Sequence, residues 1–134
     1  MRIKIWHIER PADDAGKLGQ ARYGAATLGT CTNADVEALW RTPGVYWLAG
    51  IVEVQPNKSR NEELEDAYAA TQHDQARTSL GWHREPGVQI VINARFGDPR
   101  RSSMVGDIFE LEGGELFRVA SSGFARVNET APAR

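Results

Sequence analysis

Residues 101–127, RSSMVGDIFELEGGELFRVASSGFARV, decide the fold. Ile108, Phe109 and Leu111 form a short apolar run after Gly106-Asp107, and Leu116, Phe117 and Val119 form another. Between them lies Glu112-Gly113-Gly114-Glu115, a Gly-Gly pair suited to the positive φ angles of a tight hairpin turn. Ser121-Ser122-Gly123 marks a second turn, and Phe124, Ala125 and Val127 form a third strand. The stretch is therefore predicted to be a compact β-meander. Gly106-Asp107 fits a sharp bend ahead of it, with the Asp carboxylate accepting a nearby backbone N–H.

Outward from the meander, the rest of the chain alternates strand and helix signals. Met1 to Ile8 alternates, with Ile3 and Ile5 on one face and Arg2 and Lys4 on the other, the pattern of a half-buried strand. Trp6 and Ile8 break the polar face and are expected under a loop. Pro11 to Gly29 is rich in Gly and Ala and reads as a loop or a short helix. Asn33 is the expected N-cap of a helix whose apolar face is Val36, Leu39 and Trp40, with Asp35 and Glu37 near its positive end. Thr42-Pro43-Gly44 stops it. Val45 to Val54 is aromatic and β-branched, apolar on both faces through Ile51, and so expected to be central in a sheet, with Gly50 marking a bulge.

Ser59-Arg60-Asn61-Glu62 matches a capping box, and Leu64, Ala67, Tyr68 and Thr71 then line one helical face. Gln72 to Gly87 reads as a polar connection. Val88 to Ala94 is a strand, and Phe96 to Arg101 turns the chain through Gly97-Asp98-Pro99. The fold class that follows is α+β: a mostly antiparallel sheet or small open β-barrel of about five or six strands, carrying two short helices. Residues 1–128 are expected to be a single globular domain, with 129–134 a flexible tail.

Bulk properties narrow the function classes. At 134 residues the chain is long enough to bury a core without metals or disulfides, and its single cysteine, Cys31, excludes an intramolecular disulfide. A net charge of −2 supplies no global field toward nucleic acid or anionic lipid. No apolar run approaches membrane-spanning length, and no N-terminal signal pattern is present, so a cytoplasmic setting is expected.

The cluster Arg101-Ser102-Ser103-Met104-Val105-Gly106-Asp107-Ile108, closed by Gly123-Phe124, resembles the pattern Arg-Ser-x-Ser-Val-Gly-Asp-Val of YodL-like domains, which are common in phages, plasmids and other mobile elements. Met104 departs from that pattern, where Ser is usual. Leu64 to Asp74 and Trp82 resemble the helix and Trp that precede the motif in the family. The likeness covers roughly the C-terminal half. It implies a mobile-element setting in a bacterial host cell and assigns no activity.

Candidate chemistry is concentrated in a few residues. Arg95, Arg100 and Arg101 flank Ser102 and Ser103; guanidinium groups, hydroxyls and free turn amides can together hold a phosphate or carboxylate. The competing reading pairs these arginines with Asp98 and Asp107 and uses the serines to fix turns. His73-Asp74 and His83 with Glu85 are the local His–carboxylate groupings, but no nucleophile motif accompanies them, and no catalytic residue, metal site or cofactor is assigned. Trp82 stands alone between Gly81 and His83 and is a candidate interface anchor.

The function expected from these residues is a small non-catalytic binding protein of phage or mobile-element origin. Its partner would be a host or element-encoded protein, contacted through Trp82, His83, Arg95, Arg100, Arg101, Ser102 and Ser103. Two alternatives stand beside it: a nucleic-acid-binding accessory protein using the Arg95–Arg101 cluster, and an enzyme on a small anionic substrate. The sequence leaves the oligomeric state open.

Overall fold

The structure is a computed structural model, which describes residues 1–8, 24, 27, 32–56, 59–72, 87–90 and 102–127. Among the described residues the element order is β1 (Arg2–Ile8), α1 (Asn33–Trp40), β2 (Tyr46–Glu53), α2 (Arg60–Ala70), β3 (Val88–Ile90), β4 (Ile108–Glu110), β5 (Leu116–Val119) and β6 (Phe124–Arg126). The strands form one open sheet in the order β3-β2-β1-β4-β5-β6. Every neighbouring pair is antiparallel. This is the expected α+β architecture with a mostly antiparallel sheet and two helices. No helix among the described residues is long and apolar enough to cross a membrane.

Side chains alternate across a strand, and here both faces are apolar and both are covered. Ile3, Ile5, Ala49, Val52, Phe109, Leu111 and Val119 form one cluster with Leu64 and Ala67 of α2. Ile8, Tyr46, Ile108 and Leu116 form another with Val36 and Leu39 of α1. Adjacent residues of β4, Ile108 and Phe109, fall in different clusters, so the helices lie on opposite faces. Trp6, expected under a loop, packs instead edge-on against Trp40 of α1, with centroids 5.1 Å apart. The break in the polar face of β1 is thus the contact for a helix.

Local chemistry sets the boundaries. The N-cap of α1 is Thr32 rather than Asn33: Thr32 and Asp35 form a capping box, each side chain accepting from the other's backbone N–H. Asn33 is thereby free to reach the far edge of the sheet. Its amide donates to Arg126 O at 3.0 Å and its carbonyl accepts from Arg118 Nε at 2.8 Å. Ser59 caps α2 by accepting from Glu62 N at 3.2 Å, while its hydroxyl donates to the Glu62 carboxylate at 2.9 Å. The expected bulge is in β2: Ile5 faces Gly50 and Trp6 faces Leu48, leaving Ala49 as the extra residue.

The meander forms as read. Gly114 takes φ 87° in the first hairpin and Gly123 takes φ 73° in the second. Phe124, after Gly123, packs on Phe109 at 5.7 Å and Tyr68 at 6.2 Å between ring centroids. Of the expected strand Val88 to Ala94, residues 88–90 pair with β2 and 91–94 lie outside the described residues. The tail 129–134 and the segment 11–23 also lie outside them.

Phe109 is fully buried where β1, β4 and β5 meet α2. Phe109→Ala is expected to cost about 3–5 kcal/mol of stability, read from the shift of a urea unfolding curve followed by circular dichroism.

Candidate functional site

The described part of the motif, Ser102 to Ile108, is a bend that crosses the end of β1 and the carboxyl end of α2. Gly106 supplies its sharp turn with φ 97°. Asp107 follows with no exposed surface. Its Oδ2 accepts from Met104 N at 2.7 Å, which is the local turn bond expected from the sequence. Its Oδ1 reaches across to accept from Ile8 N at 2.8 Å.

That second bond ends the β1–β4 ladder. Trp6 pairs with Ile108, so two further residues of the register would set Ile8 against Gly106. Gly106 has turned away, and its carbonyl accepts instead from the Tyr46 hydroxyl at 2.7 Å. The Asp107 carboxylate takes the place of the missing strand carbonyl. A buried N–H left without an acceptor is costly, so this substitution fixes where the sheet stops.

Ser103, expected on a presented surface, is 2% exposed. The reason is the set of groups it bonds. Its N–H donates to Thr71 O at 3.0 Å, and its carbonyl accepts from Gln72 Nε2 at 3.2 Å. Its hydroxyl lies 2.7 Å from Thr71 Oγ1 and 3.2 Å from His7 Nε2. His7 and Thr71 are themselves fully buried. The bend is therefore sealed at Ser103 and Asp107, while Ser102 is half-buried. The other expected contact residues, Trp82, His83, Arg95, Arg100 and Arg101, lie outside the described residues, as do His73, Asp74 and Glu85.

Serine, histidine and aspartate together invite comparison with a nucleophilic triad. Such a triad uses both ring nitrogens, one toward the acid and one toward the hydroxyl. Here a single nitrogen, His7 Nε2, faces both Ser103 Oγ at 3.2 Å and Asp107 Oδ2 at 3.8 Å. All three side chains are buried, and Ser103 has its polar groups turned to its own chain. The cluster is a junction that joins β1, α2 and the bend.

His7 and Thr71 were not singled out as site residues by sequence reasoning. A signal existed for His7. It shares the inward face of β1 with Ile3 and Ile5, and a polar residue in an apolar row implies a buried partner. Elsewhere, an open groove of about 640 Å³ runs beside α2 and β2, its described lining including Met1, Val54, Asp66, Ala70 and Val88. At its rim the N-terminal ammonium donates to Val54 O at 3.0 Å and lies 3.6 Å from Glu53. Neither Ser102 nor Ser103 lines it.

No protein-family model, curated protein or solved structure matches this chain.

Asp107→Ala strips the acceptor from one buried and one partly buried N–H group and supplies no replacement. The expected loss is about 3–5 kcal/mol, measured by chemical denaturation; a loss under about 1 kcal/mol would contradict the role given to this carboxylate.

Proposed function

We propose that this chain is a small non-catalytic binding protein of phage or mobile-element origin, acting in the bacterial cytoplasm on a host or element-encoded protein. One observation carries the reading: the hydroxyl of Ser103 and the carboxylate of Asp107 are buried and bonded to the chain itself. Those are the groups of the motif best able to do chemistry. Spent internally, they make this part of the motif a frame for the fold, which supports the non-catalytic part of the reading. The resemblance of residues 101–108 to the YodL-like pattern supports the mobile-element setting.

The contact surface is assigned, from sequence, to Trp82, His83, Arg95, Arg100, Arg101 and Ser102. Ser103 is withdrawn from it, because a residue only 2% exposed offers almost no surface to a partner. Trp and Arg are enriched among the residues that carry most of the energy of an interface.

The test is affinity capture from host lysate with tagged full-length chain, across a salt series, followed by calorimetry with the purified captured protein. One saturable protein partner is expected, with binding weakened at least tenfold by Trp82→Ala, a loss of about 1.4 kcal/mol. Circular dichroism of that variant should match the parent. Recovery of nuclease-sensitive material, with a gel shift lost in Arg100→Ala and Arg101→Ala, would replace this reading with nucleic-acid binding. Failure to capture any partner at any salt would overturn it.

A further inference from the structure

We infer that His7, Ser103 and Thr71 form a one-way hydrogen-bond latch, in which His7 carries its proton on Nε2 and the chain of donors ends on the helix carbonyls of α2. The direction follows from counting protons. Thr71 Oγ1 lies 3.0 Å from Ala67 O and 3.2 Å from Tyr68 O. Carbonyl oxygens only accept, so the single hydroxyl proton of Thr71 belongs to them. Toward Ser103, 2.7 Å away, Thr71 can then act only as an acceptor. Ser103 has one hydroxyl proton, and it goes to Thr71. What Ser103 offers His7 Nε2, at 3.2 Å, is a lone pair. Nε2 must therefore be the protonated nitrogen.

A second contact agrees. Asp107 Oδ2 lies 3.8 Å from the same nitrogen. A carboxylate favours an N–H on that side and disfavours a ring lone pair. The reverse direction would point that lone pair toward the acid and take the Thr71 proton from the helix carbonyls, two penalties in a site without water access.

The latch is a conformational device. The polypeptide leaves α2 at Gln72 and returns at Ser102. The bonds Ser103 N–H to Thr71 O and Gln72 Nε2 to Ser103 O pin the two ends of that excursion together. The hydroxyl chain adds β1 through His7. The last turn of α2, the bend and the end of β1 are thus joined by one continuous hydrogen-bond chain.

Two measurements on the full chain test it. Long-range proton–nitrogen correlation spectra in alkaline buffer, with the ring neutral and His7 assigned through backbone connectivities, are expected to show a pyrrole-type Nε2. A pyridine-type Nε2 reverses the chain and overturns the assignment. In a double-variant cycle, Thr71→Val with Ser103→Ala should lower the folding equilibrium constant about fivefold less than the product of the single effects. Thr71→Ser, which keeps the hydroxyl, should retain that coupling. Strictly multiplicative effects would break the latch. Should a variant fail to fold, the spectrum of the parent protein decides the matter alone.

Discussion

Two amide protons, those of Ile8 and Met104, fall where the sheet has no carbonyl to offer, and the Asp107 carboxylate binds both. This constraint organises the molecule. Gly106 must turn to bring Asp107 into place, and the turn removes its own carbonyl from the ladder. Tyr46, from the neighbouring strand, then supplies that carbonyl with a donor. The Ile8 amide and the Gly106 carbonyl, both displaced by the bend, each find a partner on a different element. The site is buried, so every one of those partnerships contributes more than it would at the surface. Loss of the carboxylate would leave unpaired groups on both β1 and the bend.

Around this hub the apolar packing is divided by the sheet. One face closes on α2 through Leu64 and Ala67, and the other closes on α1 through Val36 and Leu39. The junction of His7, Thr71 and Ser103 lies on the α2 side, because His7 follows Ile3 and Ile5 along the same row. α1 is tied differently, through Asn33 to Arg118 and the Arg126 carbonyl near the sheet's β6 edge. That bond also occupies an outward group of a short edge strand, one of the ways a sheet avoids pairing with another chain. At the other end of α2, Glu115 lies 3.0 Å from Arg60 and 3.9 Å from Arg126, a partly exposed ion network that adds little to stability by itself.

The functional consequence concerns what a motif is for. Arg101 to Ile108 reads as a ligand-binding loop, because it gathers cations and hydroxyls. In three dimensions its Ser103 and Asp107 serve the fold. Ser103 and Asp107 are thereby tied to α2 and β1.

Much of this was legible in the chain. The meander was readable because Gly113-Gly114 and Gly123 mark turns that few other residues allow, and the apolar runs between them are too short for helices. The bond from Asp107 to the Met104 amide was readable for the same reason: it spans three residues and follows from local turn chemistry. So was the face of α2, set by the spacing of Leu64 and Ala67. The cap of α1 fell one residue away, at Thr32, because Asn33 and Thr32 are both good caps and only the bonds of Asn33 to Arg118 and Arg126 decide between them. The inward turn of Ser103 was beyond local reasoning. Its partners, His7 and Thr71, lie 96 and 32 residues away in sequence. Strand period and turn residues report on neighbours along the chain; which distant polar group completes a buried hydrogen bond is fixed only when the sheet brings β1, the bend and the end of α2 together.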